Sequence, residues 1–519
     1  MRRPIFNGRR HPKCIREVIE KNISFNLSTL ANTPTFPKHC NMIRLIVLMT
    51  AALASVLYSS AKKKPNVLFI FADDQCYETI GALGVTDIET PNLDRLAASG
   101  VTFTRAYNMG SWSGAVCVAS RHMLNTGRFL WQAHEASKKA EQERSDGRWW
   151  SEHMKKAGYR TYFTGKWHVR AKAEKCFDVA RNVRPGMPNQ TPAGYNRPLP
   201  GKPDPWSPYD PKFEGFWKGG THWSNIVADD ALDYLKQAKK HKAEKPFFAY
   251  VAFNAPHDPR QAPKEYVDKY PLNRIELPEN FLPMYPFKDE IGCQHRLRDE
   301  KLGPMPRTEH SVKVHRQEYY AIITHMDVQI GRILDALEKS GMAKDTYVFY
   351  SADHGLGVGH HGLFGKQNLY EHSTRVPFIV SGPDIPKGKQ VPASVYLQDV
   401  MATSLAIAGV KKPGHVQFND VLPLAKGETK ESSYKAIYGA YLSLQRSVTE
   451  NDKKLILYPK VPRARLYDVK ADPMEMKDLA KEKNQLPLMR KLFSSLLKLQ
   501  EETGDTLDLK NVFPELAKK

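Results

Sequence analysis

Several things are scarce in this 519-residue chain, and each scarcity excludes a class of protein. Cysteine is rare, six residues in all, far below the density of a disulfide-stapled scaffold. No apolar stretch reaches the ~20 residues of a transmembrane helix, which excludes an integral channel or transporter and stable membrane insertion. Acidic residues are outnumbered, 56 Asp and Glu against 77 Lys and Arg, for a net charge of +21. The sequence shows no internal repeat and no Lys/Arg block long enough for a nucleic-acid patch. What is present is 41% hydrophobic and 26% charged, enough for a large core spread over two to four domain-sized units. The positive excess points to an anionic partner.

Residues 45–58 read LIVLMTAALASVLY, the length of a signal-peptide apolar region and too short to span a bilayer. Arg44 precedes them and the small residues Ser59, Ser60 and Ala61 follow. This order predicts cleavage near Ala61 and export to a periplasm or the exterior; a buried core helix is the competing reading. Met42 is then a candidate start, with 1–41 an extension. Residues 1–61 carry nine Lys/Arg and two Glu, so the remainder keeps about +14. For an exported basic protein an acidic polymer is a better target than nucleic acid. Cys76, Cys117, Cys176 and Cys293 remain after cleavage.

Continuous apolar runs at 66–72, 246–254, 346–352 and 377–381 predict buried strands. Thr90-Pro91 opens a helix, and 319–338 has helical apolar spacing. Alternating strands and helices imply an α/β core with a mainly parallel sheet. Sites in such sheets lie beyond the carboxyl ends of the strands, where Asp73-Asp74, Asp353-His354 and the 254–257 stretch all fall. Nine Pro within 185–211 preclude helix and predict a functional loop. All eight Trp lie between Trp112 and Trp223; core packing is the plain reading, and stacking on sugar rings near the Pro-rich loop the functional one. Beyond residue 410 the segments turn short and mixed, ending in a helix at 485–503.

Two adjacent carboxylates repel unless a cation joins them, and Ca2+ takes several oxygen ligands. Asp73-Asp74 and Asp353-His354, at one sheet edge, are therefore candidates for a single metal site. The segment Cys117-Val118-Ala119-Ser120-Arg121, followed by Thr126-Gly127, sets a Cys at a loop or helix start with an Arg four positions on; a helix N-terminus plus Arg favours an anion. A buried structural Cys beside a surface Arg accounts for the same spacing.

That segment resembles the sulfatase signature Cys-x-Pro-Ser-Arg-x-x-x-x-Thr-Gly, in which Cys is oxidised to formylglycine; Ala119 stands where the signature has Pro. The resemblance runs in family order over 65–480. PNVLFIFADDQ at 65–75 is similar to the opening strand with two metal-binding Asp, and Thr164-Gly165-Lys166-Trp167-His168 to the Gly-Lys-Trp-His element. Ala255-Pro256-His257, SADHG at 351–355, Gly362-Leu363-Phe364-Gly365-Lys366 and Leu466-Tyr467-Asp468 complete the series. His354 occupies a place often held by Asn in arylsulfatases, and His there resembles the iduronate-sulfatase-like branch.

The resemblance implies an alkaline-phosphatase-like α/β/α sandwich with a smaller C-terminal α+β subdomain: extension and signal at 1–61, catalytic domain at 62–410, subdomain at 411–519. It implies a sulfuric ester hydrolase acting on a sulfated carbohydrate, with one Ca2+ on Asp73, Asp74, Asp353, His354 and the residue at 117, and a formylglycine-generating enzyme as partner. By the same resemblance Arg121 and Lys166 hold formylglycine and sulfate oxygens, His168 is the base, and His257 and Lys366 contact sulfate and protonate the leaving alcohol. His122, His360 and His361 are read as structural. Two other functions stay open: a phospho- or phosphonate-ester hydrolase of the same superfamily, and a non-catalytic sulfated-glycan binder if Cys117 is never converted.

Overall fold

The structure, a computed structural model, describes residues 64–241 and 244–518. The expected signal segment lies outside the described residues. The central sheet has eight strands: β1 Asn66–Ala72, β2 Val101–Phe103, β4 Arg160–Lys166, β5 Val179–Arg184, β6 Phe247–Ala252, β7 Thr346–Ala352, β8 Phe378–Ser381 and β9 Lys389–Val391. The short strand β3, Gly110–Ser111, belongs to a second sheet. The order across the central sheet is β9-β2-β8-β7-β1-β6-β4-β5. β1, β6 and β7 are buried along their whole length, which is why they read as continuous apolar runs.

The five strands β7-β1-β6-β4-β5 are mutually parallel, and β8 runs antiparallel between β7 and β2. A parallel β8 would need a crossover of a dozen residues or more, usually a helix. The connection from Asp353 to Pro377 holds the four-residue helix Glu371–Thr374 and the two-residue strand Arg375–Val376 and is otherwise given over to loops around the site.

The helices include α1 Pro91–Ala98, α2 Val116–Thr126, α3 Trp223–His241, α4 Glu309–Lys339 and α5 Leu486–Thr503. α1 has Pro at its first position, as the sequence predicts. α4 starts ten residues earlier than its apolar spacing suggests, capped by Thr308 accepting from the Ser311 amide. α2 ends on Gly127 at φ +68°, and a side chain there would also press on Val416 and Met401. Among the described residues no helix is long and apolar enough to cross a membrane.

The second sheet joins β10 Ile437–Tyr441, β11 Gln445–Glu450, β12 Lys453–Tyr458 and β13 Arg463–Asp468 to β3. Its first strand pairs with the two residues that lead into α2, so this sheet touches the segment carrying Cys117. The Pro-rich segment has no helix or strand beyond 3-10 turns. It is pinned by Arg197, whose guanidinium bonds Asp204 at 2.6 Å and Glu318 at 2.6 Å.

Trp149 and Trp150 are fully buried, in line with the packing reading. Trp150 lies among Phe69, Phe248 and Tyr250, and its Nε1 donates to Ser404 Oγ at 2.7 Å. Trp150→Ala should lower stability by roughly 3–5 kcal/mol through cavity formation. Equilibrium denaturant unfolding would measure it, and a loss below about 1 kcal/mol would refute this packing role.

Candidate active site

Strand register builds the site. Ala72 pairs with Ala352, Phe71 with Ala252, and Gly165 with Ala252, so these strands end level with one another. Asp73-Asp74, Asp353-His354, Lys166-Trp167-His168 and the stretch leading to His257 therefore emerge along one edge. The Asp73 amide donates to Ala255 O at 3.0 Å, the Asp353 amide to Ala72 O at 3.2 Å, and the Asp74 amide to Asp353 Oδ1 at 3.1 Å. Gly165 is required here: at φ +94° its missing Cβ would lie 1.8 Å from Ala252 O. Asp74 at φ +68° and His168 at φ +53° hold left-handed backbone without being glycine, a conformation that costs on the order of 1–3 kcal/mol.

Three carboxylates meet out of water. Burial pushes Asp73 and Asp74 up to about 6, against the pull of Lys166 and Lys366 respectively. Burial also opposes ionisation of Asp353, but Arg121, Lys166 and Lys366 outweigh it and hold its carboxyl well below the usual range. Arg121 is fully buried; its Nε donates to Asp353 Oδ2 at 2.9 Å and its Nη1 to Lys166 O at 2.6 Å. Lys166 pairs with Asp73 and Lys366 with Asp74.

Asp73 Oδ1 and Asp74 Oδ1 are buried without a hydrogen-bond partner. Ligand atoms of Asp73, Cys117 and Asp353 lie within 4.8 Å of one another, as do those of Asp73, Asp74 and His257. Two unpartnered carboxylate oxygens among three clustered carboxylates suit a hard divalent cation. His354 is buried, with Nδ1 3.0 Å from its neighbour Gly355 O, but belongs to neither cluster.

Cys117 occupies the first turn of α2, with Sγ 3.1 Å from His168 Nδ1; burial pushes its thiol up. Lys366 Nζ lies 3.0 Å from His257 Nε2, and His257 Nδ1 lies 2.9 Å from Asp258 Oδ1. These groups face a cavity of about 270 Å³ that also meets Met187 of the Pro-rich segment and Arg298. Cys117, Lys166, His168, His257 and Lys366 thus share one cavity, with Arg121 and the three Asp behind it.

The structure adds residues that sequence reasoning missed. Asp258 orients His257, and its place directly after Pro256-His257 was an available signal. Asp299 takes a hydrogen bond from Gln367 at 2.8 Å and pairs with Arg298. Arg298 and Asp299 lie in an aperiodic stretch with no motif, so nothing in the sequence marks them. His360 bonds Glu78 at 3.0 Å, His361 stacks on Tyr370, and His122 accepts from the Arg170 amide. None of these three lines the cavity. The four cysteines among the described residues are all free and buried.

Chelator-treated protein should gain thermal stability when titrated with Ca2+, by ~2.7 kcal/mol at a hundredfold excess over Kd. Asp73→Asn should remove most of that gain. Differential scanning calorimetry would show it, and an equal gain in the variant would exclude Asp73 from the metal site.

With this geometry in hand, comparison with known proteins is informative. Residues 65–410 match the family model described as Sulfatase, and 359–502 match one described as N-sulphoglucosamine sulphohydrolase, C-terminal. The chain is 25% identical to an N-acetylglucosamine-6-O-sulfatase of Bacteroides thetaiotaomicron, covering 89% of this chain and 91% of the relative. Among solved structures, one in complex with its substrate D-glucosamine-2-N,6-O-disulfate superposes with a TM-score of 0.66 at 23% identity, covering 86% of this chain and all of that one. The phosphonate monoester hydrolase of Agrobacterium radiobacter also reaches 0.66, at 19% identity, over 85% of this chain and 96% of that one. The two structural likenesses establish an alkaline-phosphatase-like fold and leave the reaction to the site.

Proposed function

Since the chain belongs to the sulfatase family and is a sulfuric ester hydrolase, we propose that its substrate is a sulfated carbohydrate, cleaved at Cys117 after conversion to formylglycine with one Ca2+ beside it. The observation that carries this reading is the placement of Cys117: first turn of a helix, inside a cavity with two Lys and two His, directly in front of three buried carboxylates. The likeness to an N-acetylglucosamine-6-O-sulfatase supports the carbohydrate class.

Asp73, Asp74, Asp353 and His354 would hold the Ca2+ together with the residue at 117. When bound, Ca2+ supplies positive charge for sulfate oxygens and lowers the proton affinity of a nearby hydroxyl. Hydrated formylglycine supplies a hydroxyl nucleophile and a second hydroxyl that lets sulfate depart without attack by external water.

The chain's own residues do the positioning and the proton transfers. Arg121, locked between Asp353 and the Lys166 carbonyl, fixes the first turn of α2 and so the orientation of position 117. Lys166 and Lys366 bring two ammonium groups to the sulfate oxygens. His168 Nδ1, 3.1 Å from Sγ, is within reach of a proton on the group at 117. Asp258 takes the Nδ1 proton side of His257 and turns Nε2 toward Lys366; this pair is placed to protonate the leaving alcohol. The narrow cavity limits water around these groups.

On the same reading the chain is exported after cleavage near Ala61, 62–410 is the catalytic part and 411–519 a smaller C-terminal part. A formylglycine-generating enzyme is required as partner, and Ala119 in place of Pro lowers the efficiency of conversion without preventing it.

Protein from a host with that enzyme should give a tryptic peptide ending at Arg121 with CHO in place of CH2SH at position 117. Ala119→Pro should raise the converted fraction. Cys117→Ala should reduce sulfate release from an aryl sulfate at least a thousandfold while the melting temperature stays within a few degrees. A free thiol alone in protein from its native source would instead favour the glycan-binding function. Release of phosphate from phosphonate or phosphate esters faster than sulfate from sulfate esters would favour the phosphonate-hydrolase chemistry.

A further inference from the structure

Trp112 directly follows β3 and lies five residues before Cys117. It borders a second depression, a groove of about 560 Å³ walled by Trp112, Trp131, Leu444 and the turn at 504–508. Both indoles are half-buried and held from behind. Trp112 stacks on the His134 ring at 5.1 Å and 16°. Trp131 donates from Nε1 to the Tyr438 hydroxyl at 2.9 Å, with the Arg446 guanidinium 5.0 Å from its ring centre. Rings fixed in this way offer flat apolar faces at low entropic cost.

The groove differs in charge from the cavity. Arg446 is its one lining cation, and that guanidinium is fully committed. Nε and Nη2 hold the two oxygens of Asp505 at 2.6 and 2.8 Å, and Nη1 donates to Leu442 O and Gln445 O. The exposed polar side chains left to a ligand are the hydroxyls of Ser443 and Thr506; the Asp508 carboxylate adds negative charge but already accepts from the Asn511 amide and side chain. Such a wall hydrogen-bonds a neutral polyol and repels a sulfate. The cavity at Cys117 is the reverse, with Lys166, Lys366 and Arg298 in its lining against the single carboxylate of Asp299. At about 270 Å³ it falls below the ~300 Å³ of ordinary small-ligand sites, room for one sulfated unit rather than several.

The two depressions are linked by a short run of hydrogen bonds. Gly114 lines the cavity, and its carbonyl accepts from Gln367 Nε2 at 3.2 Å; the Gln367 carbonyl accepts from Gln445 Nε2 at 2.8 Å, next to Leu444 of the groove. Five residues of chain from Trp112 to Cys117 span at most ~18 Å, so a chain of sugars that leaves the cavity on the Gly114 side reaches the indoles within a few units.

We propose that this groove is a second subsite, taking an unsulfated sugar of the same glycan stacked on Trp112 and Trp131 while the sulfated unit occupies the cavity. The inference rests on the sulfated-carbohydrate reading above. Two measurements keep its failure apart from a failure of that reading.

In the first, saturation-transfer NMR is recorded on Cys117→Ala protein mixed with neutral hexasaccharides of β-linked glucose, galactose or N-acetylglucosamine. Ring protons of at least one should receive saturation. Adding Trp112→Ala should cut the effect at least fivefold, and Trp112→Phe, which keeps a ring, should retain most of it. No transfer to any of the three, or equal transfer in the Trp112→Ala protein, would overturn the subsite whatever reaction the enzyme performs. In the second, KM is compared between a sulfated oligosaccharide and a small aryl sulfate. Trp112→Ala should raise the former about tenfold more than the latter, the size of one lost aromatic contact. Equal shifts on both substrates would also overturn the subsite. Failure of the unaltered enzyme to release sulfate from any glycan, with aryl sulfate still cleaved, would count against the carbohydrate reading instead, and the NMR result would then decide the groove.

Discussion

Asp73, Asp74 and Asp353 lie out of water at one edge of the sheet, and holding three carboxylates there is the constraint around which the rest of this molecule is arranged. Like charges at such spacing repel, and burial removes the water that would screen them. The protein answers with Arg121, Lys166 and Lys366, each itself buried and each paired to one of the three. Neither set is tolerable alone. Together they make a dry, strongly polar floor that suits a divalent cation and an anionic substrate group.

That floor dictates features elsewhere. The level strand ends require Gly165, since any side chain there would strike the Ala252 carbonyl. The tight exits from β1 and β4 place Asp74 and His168 in left-handed conformations, strain held by the packed edge around them. The loop carrying Lys366 is tied down at its far end by a fully buried ion cluster. Lys454 of β12 sits 3.0 Å from both Glu371 and Glu475, and the Glu371 amide donates to Glu475 at 2.7 Å. Breaking such a cluster would leave a buried charge unpaired. The C-terminal sheet therefore bears on the site mechanically, through the segment that holds Lys366, and its pairing with β3 does the same for the segment that leads to Cys117.

The charge distribution divides substrate recognition in two. Cations cluster in the narrow cavity, where a sulfate would sit. Next to it, in the groove, aromatic faces and hydroxyls take over and the single arginine is neutralised by Asp505. A basic protein of net charge +21 thus holds a few cations buried at the cavity, while much of its surplus Lys lies on exposed faces.

Much of this was legible in the chain itself. The buried strands announce themselves as apolar runs because both of their faces are covered, and Asp73 and Asp353 stand out because each terminates such a run. Cys117 and Arg121, four apart, stand out through their resemblance to the sulfatase signature, while their spacing alone leaves a loop or a helix start open. Other features depended on contacts between residues far apart in the chain, which no local pattern encodes. The register that levels Ala72 with Ala352 comes from long-range pairing. The antiparallel course of β8 follows from a connection too occupied with the site to cross over. Arg298 and Asp299 reach the cavity from an aperiodic stretch, Asp258 acquires its meaning only beside His257, and Trp112 meets Trp131 and the 504–508 turn only once the C-terminal segment has packed against β3. Local sequence determined which residues stand as candidates for the chemistry; tertiary packing decided how they face one another, because distance, burial and charge pairing arise only between segments the chain keeps apart.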